Sequence, residues 1–250
     1  MARRKRADQP IGVGLTTRQA KRKKPLSSEY LVDIDPLTDN QKLLFDHYDK
    51  GKNIFAHGVP GSGKTFCLLY KALKEVLDER TPYDTVYIVR SIVSTRDVGF
   101  LPGMLEEKIG IYEIPYKNMV KDIFRMPSDV DFDMLYGNLK SQKIIDFMST
   151  SFLRGITLDN CIIIVDEAQN LSAHESFSII SRCGEDTKIM FAGDIEQSDL
   201  VKMSEKTGII DFVRVINAMP SFEKIEFDVD DIVRSGLVRE FVIAKKSLGL

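Results

Sequence analysis

Residues 58–65 read Gly-Val-Pro-Gly-Ser-Gly-Lys-Thr and match the phosphate-loop pattern G-x-x-x-x-G-K-[ST] at every position. No other stretch limits the fold as strongly, because this pattern works only between a strand and a helix. Gly58, Gly61 and Gly63 allow positive φ and let the backbone approach a phosphate with no Cβ in the way. From Gly58 through Val59, Pro60, Gly61, Ser62, Gly63, Lys64 and Thr65 to Phe66, the chain is expected to wrap a nucleotide's phosphates. Its N–H groups would gather at a helix N-terminus, where anions are favoured. Lys64 would bring its charge to the β- and γ-phosphates, and Thr65 would offer its hydroxyl to Mg²⁺. The flanks agree. Asn53-Ile54-Phe55-Ala56-His57 is a short strand-like run, and Phe66, Leu69, Tyr70, Leu73 and Leu77 recur at helical spacing.

The rest of the chain fits a parallel α/β domain. A helix is expected over 37–48 with Thr38 as its cap, and a strand over 84–89. Residues 91–103 read as a loop, and helical patterns follow at 104–111, 116–124 and 140–152. Cys161-Ile162-Ile163-Ile164-Val165 is a continuous apolar run, as in a strand covered on both faces. Ser172 and Glu175 form a capping box for a helix over 172–182. Strands over 187–192 and 222–227 and helices over 208–218 and 236–247 complete an alternation that implies a mostly parallel sheet flanked by helices.

The net charge of −2 hides an asymmetry. Residues 1–24 carry nine Lys or Arg and one acid, Asp8, for a charge of +8, so the remainder carries −10. With Pro10, Gly12 and Gly14 and little apolar content, residues 1–30 are expected to form a disordered basic arm ahead of one domain over 31–250. Such an arm can grip nucleic acid or act as a solubilising tail, and its charge alone leaves both readings open. No apolar run approaches the ~18 residues of a membrane span, and the charged N-terminus has no apolar signal segment. Cys67, Cys161 and Cys183 lack disulfide or zinc spacing and read as small buried hydrophobes in a cytoplasmic protein.

Two acidic stretches bear on chemistry. Asp166 and Glu167 close the Cys161–Val165 run. At the tip of a buried strand, Asp166 is the candidate for holding Mg²⁺ through a bound water and Glu167 for activating the attacking water. Charged residues also end ordinary strands, so the pair gains its meaning from the phosphate loop upstream. Gly193-Asp194-Ile195-Glu196-Gln197 follows the next strand, where Gln197 is placed to orient water and Asp194 to support it, although Gly-Asp is also a common turn. Gln41, 17 residues before the loop, is a candidate to pair with an adenine edge or is simply a surface residue.

The order Thr38-Asp39-Asn40-Gln41, loop 58–65, Asp166-Glu167-Ala168-Gln169 and Gly193-Asp194-x-x-Gln197 resembles the first motor domain of superfamily 1 helicases, and more closely the PhoH-like ATPases. Val98-Gly99-Phe100-Leu101-Pro102-Gly103, the stretch Phe152-Leu153-Arg154-Gly155-Ile156-Thr157-Leu158 and Asp231-Ile232-Val233-Arg234-Ser235 strengthen the likeness, which covers about 36–247. The resemblance implies a RecA-like P-loop fold, hydrolysis of ATP with Mg²⁺, and assembly into a homo-oligomeric ring, with a hexamer favoured. It makes Arg234 the first choice for an arginine reaching a neighbour's nucleotide, and Arg90 or Arg154 for phosphate or inter-subunit contact. Some members carry a ribonuclease domain ahead of the ATPase. Here about 35 basic-rich residues precede it, and that activity is expected to be absent. Ile156 stands where a basic residue is expected.

Two other functions compete. An ATP-driven helicase or translocase on RNA or single-stranded nucleic acid fits the arm, but needs oligomerisation to supply a second motor domain. A P-loop kinase for a small molecule fits the loop alone, while the DEAQ and GDxxQ stretches favour water over an acceptor hydroxyl.

Overall fold

Apolar runs that alternate with helical patterns assemble into one sheet. The computed structural model describes residues 30–91, 105–153, 155–194 and 203–248. Its strands are β1 (Asn53–Gly58), β2 (Thr85–Arg90), β3 (Ile145–Ser149), β4 (Cys161–Asp166), β5 (Thr187–Gly193) and β6 (Phe222–Phe227). They lie in the order β3-β2-β4-β5-β1-β6, every neighbouring pair parallel. The helices are α1 (Asp39–Asp49), α2 (Lys64–Val76), α3 (Leu105–Phe124), α4 (Asp129–Ser141), α5 (Ala173–Ile180), α6 (Met203–Asn217) and α7 (Gly236–Ser247). With β5 between the loop strand β1 and the acidic strand β4, this is the RecA-like arrangement.

Period-2 alternation divides the core between the two faces of the sheet. Ile54, Ala56, Ile88, Ile162 and Ile164 pack with Leu68, Leu69 and Leu73 of α2 on one face. Phe55, Ile163, Val165 and Phe191 pack with Phe212 and Ile216 of α6 on the other. Each such side chain contributes about 1.5–3 kcal/mol when fully buried. That two-sided burial is why β4 reads as an unbroken apolar run. The sheet's registers bring Arg90 beside Asp166, His57 beside Gly193 and Gly58 beside Phe227. All lie at the carboxyl ends of parallel strands, where ligands of open α/β sheets bind.

Below these ends, Lys188 is buried against Glu75, with 2.7 Å between Nζ and Oε2, and lies 3.9 Å from the Tyr48 ring centroid. This pair ties β5 to α1 and α2. The expected capping box is present: Ser172 accepts from the Glu175 N–H while Glu175 accepts from the Ser172 N–H. Glu175 also accepts from Thr150 and Ser91, joining the tops of β3 and β2. Burial raises its pKa, but the hydrogen bonds from Ser172, Thr150 and Ser91 prevail and hold it below the usual value. Burial pushes the Cys67 and Cys161 thiols up to about 12 and that of Cys183 to about 11.

Two expectations are corrected. Residues 140–152 are not a helix: α4 ends at Ser141, and β3 and a 3₁₀ turn over Thr150–Leu153 follow. Ile144, Met148 and Phe152 have helical spacing, but Ile145, Phe147 and Ser149 alternate inward, and pairing with β2 selects the strand. The patterns at 104–111 and 116–124 belong to one continuous helix, α3, which carries Pro115 inside it. The basic arm, the 98–103 stretch, Arg154 and Gln197 lie outside the described residues. Among the described residues no helix is long and apolar enough to cross a membrane.

Candidate functional site

The loop is shaped by what presses on it. Gly58 ends β1 at φ +119°, and a Cβ there would lie 2.0 Å from the Phe227 carbonyl oxygen. That same oxygen accepts the Val59 N–H at 3.1 Å, so β6 fixes where the loop begins. Gly63 caps α2 in the left-handed region at φ +78°. Lys64 then folds back over the loop. Its Nζ donates to the carbonyls of Gly58 (2.8 Å) and Val59 (2.7 Å) and to Ser62 Oγ (3.1 Å). Burial lowers the Lys64 pKa, opposed by the charges of Asp194, Asp166, Glu167 and Asp231. Phe66, the next residue but one, packs partly buried on the core.

The acidic pair meets this loop from β4. Thr65 Oγ1 donates to Asp166 Oδ1 at 2.8 Å, across 101 positions of sequence. The other carboxylate oxygen accepts from the Tyr116 hydroxyl, also at 2.8 Å. Burial, with Asp166 beside it, pushes the Tyr116 pKa well above 10, so the hydroxyl stays a donor. Thr65 and Asp166 together present hard oxygen ligands. They suit Mg²⁺, which takes one or two carboxylates and completes its shell with phosphate oxygens and water.

Glu167 turns the chain through the left-handed region at φ +53°. Its Oε2 accepts from Gln169 Nε2 at 2.6 Å, and its Oε1 lies 3.9 Å from Arg90 Nη2. Gln169 Oε1 accepts the Asp194 N–H at 2.9 Å. One amide thus connects the acidic pair to the end of β5. Gly193 makes room for it, since a Cβ there would meet Gln169 Oε1 at 2.6 Å.

The outer wall comes from α1 and from the segment after β6. Gln41 is 3% exposed, and its Nε2 donates to the Ser62 carbonyl at 2.9 Å while its Oε1 accepts the Leu37 N–H at 2.8 Å. It grips the loop itself. The Val233 N–H donates to the Gly61 carbonyl at 3.1 Å, and the Arg234 methylenes lie 3.5 Å from where a Gly61 Cβ would stand. Buried Asp231 accepts from Asn40 Nδ2 at 2.7 Å and from the Asp228 N–H at 2.9 Å, anchoring that segment to α1. Gln41, loop 58–66, Arg90, Asp166, Glu167 and Arg234 therefore gather in one place. Ile156 is partly buried against the core that holds Leu153 and Leu158. Tyr116 escapes sequence reasoning, because it has only a helical apolar spacing and no motif around it.

A family model described as PhoH-like protein matches residues 33–245. The chain belongs to the PhoH-like family. A PhoH-like protein of Mycobacterium leprae is 30% identical over 212 residues, 84% of this chain and 58% of its own length. Protein PhoH of Escherichia coli K12 is 30% identical over 185 residues, 74% of this chain and 50% of its own. The chain thus spans little more than half the length of these relatives. Among solved structures, the large terminase of a thermophilic bacteriophage in complex with ADP gives a TM-score of 0.46 at 15% identity, over 83% of this chain and 49% of that one. The DUF1998 helicase MrfA bound to DNA gives 0.47 at 14%, over 88% and 30%. As a PhoH-like P-loop domain, the chain has a fold that implies nucleotide binding.

Proposed function

We propose that this PhoH-like chain binds Mg·ATP at residues 58–66 and hydrolyses it in the cytoplasm. The Thr65–Asp166 hydrogen bond carries this reading, because it joins a phosphate loop to a strand-tip carboxylate. Loop N–H groups hold the phosphates, and Lys64 exchanges its carbonyl partners for phosphate oxygens. Thr65 and Asp166 would hold Mg²⁺, which when bound neutralises charge developing on those oxygens. Glu167, held by Gln169 and flanked by Arg90, takes the proton of the attacking water. The water oxygen bonds the γ-phosphorus as the bond to the bridging oxygen breaks, leaving ADP and phosphate. Gln197 orients the water, Gln41 braces the loop beside the base, and Arg234 adds positive charge at the γ-phosphate. Truncating the Lys64 ammonium removes a buried charge partner, so Lys64→Ala will bind Mg·ATP about 100-fold more weakly, roughly 2.7 kcal/mol. Calorimetry with unchanged affinity refutes the site.

Assembly as a ring, with a hexamer favoured, is supported by exposed apolar side chains on two different helices, one packed on edge strand β3 and one on the 3₁₀ turn that follows edge strand β6. Leu237, Phe241 and Leu248 stand out on and beside α7, and Val130 and Met134 on α4. Two different apolar surfaces suit head-to-tail contacts, which form rings when the rotation between subunits closes and filaments when it does not. Native mass with and without ATP tests this, and a monomer under both conditions rules it out. The helicase or translocase reading rests on the nine cations of residues 1–24 and requires ATP turnover to rise when RNA or single-stranded DNA is added.

A further inference from the structure

We infer that α3 is a positioning helix for the acidic pair, with Tyr116 orienting Asp166 toward the divalent cation and Tyr112 steering Arg90 onto Glu167. The inference rests on the nucleotide reading above and adds residues that lie in none of the motifs. Tyr116 is 1% exposed, and its ring is packed 5.5 Å from that of Phe147 on β3, so the hydroxyl is held from two sides. Its hydroxyl donates to Asp166 Oδ2 at 2.8 Å, and the charge of Arg90 acts on the same hydroxyl. Asp166 therefore has one oxygen facing Thr65 at the loop and the other fixed by a donor that cannot turn away. A carboxylate pinned in this manner presents its loop-side oxygen at a set angle. An outer partner of that kind is worth 10- to 100-fold in metal affinity or activity.

Tyr112 lies one turn earlier on the same helix face. The Arg90 guanidinium carbon is 5.6 Å from its ring centroid, a cation–π distance, and Arg90 Nη2 is 3.9 Å from Glu167 Oε1. One helix thus reaches both acids by two routes that meet at Arg90, directly to the metal-side residue and through the arginine to the water-side residue. The two routes predict different main losses. Removing the Tyr116 hydroxyl loosens Asp166 and weakens the cation. Removing the Tyr112 ring frees Arg90 and slows the chemical step with the cation still well held.

The test is binding of a non-hydrolysable ATP analogue to the full chain by calorimetry, across a Mg²⁺ titration and again in EDTA. Mn²⁺ bound with the analogue and read by EPR gives a second measure without turnover. Tyr116→Phe keeps the buried ring and is expected to raise half-saturating Mg²⁺ by about 10- to 100-fold, with affinity in EDTA unchanged. Tyr112→Leu is expected to leave half-saturating Mg²⁺ as in wild type while lowering kcat about tenfold. An unshifted Mg²⁺ dependence in Tyr116→Phe overturns the inference, as does an equal loss with and without Mg²⁺, which marks a packing role only. A wild-type chain with no Mg²⁺-dependent binding refutes the nucleotide reading itself, and the inference with it.

Discussion

Arg234→Ala will bind Mg·ATP close to wild-type affinity and turn it over about 10³-fold more slowly, the lower edge of the 10³–10⁵ that an arginine at the γ-phosphate supplies. The Val233 N–H bonded to the Gly61 carbonyl sets the base of this side chain, and its methylenes pass over Gly61 of the same chain. That base lies against the chain's own loop, so we expect the charge to act there rather than at a neighbour's nucleotide, the role that the family resemblance implies. Mixing decides the matter. Arg234→Ala and Lys64→Ala subunits, each inactive alone, will stay inactive in confirmed mixed assemblies, since every loop then lacks its own lysine or its own arginine. Recovered turnover would mean that the arginine serves a neighbour. Arg234→Lys should not restore the rate, because a compact ammonium lacks the planar fork that grips a phosphate.

Glu167→Gln will keep nucleotide affinity within a few-fold and slow hydrolysis by at least ~10², within the range for a positioned base. The amide preserves size and can still accept from Gln169, so a change in rate reads the lost basicity rather than a lost fold. Single-turnover kinetics with bound ATP separate this from slow release of product. Turnover near wild type would assign Glu167 to holding the left-handed bend after β4 instead.

What the sequence makes legible is local. The loop, the buried run of β4 and the Ser172–Glu175 capping box each rest on residues a few positions apart, and each has a chemical reason visible within that window. Short windows fail where two periodicities coexist. Residues 144–152 carry apolar residues that serve a helix or an edge strand, and only β2 alongside decides between them. Pro115 likewise suggests a break between two helices that α3 does not have. The site is legible wherever a residue type is tied to a motif, as with Lys64, Thr65, Asp166 and Glu167. Tyr116 reaches Asp166 across 50 positions with nothing local to announce it. Gln41 has the amide to face a base, yet that amide holds the Ser62 carbonyl, a contact that exists only once α1 has packed on the loop.

The strand that carries the phosphate loop has both of its neighbours far downstream. Asn53 meets the Ile189 N–H across 136 positions and the Ser221 carbonyl across 168. At ~5–20 residues per second on a ribosome, roughly 8–35 s separate the emergence of β1 from that of β6. Until β5 emerges Ile54, Phe55 and Ala56 have no neighbouring strand to pair with, and until β6 follows Gly58 has no Phe227 carbonyl to set its bend. The most conspicuous stretch of the sequence is therefore among the last parts of the molecule to acquire its shape. Parallel pairing over such separations closes long loops before any contact rewards it, which makes it slow. A nascent chain of this design has to be kept from aggregating through its own nucleotide strand until its final third has been made.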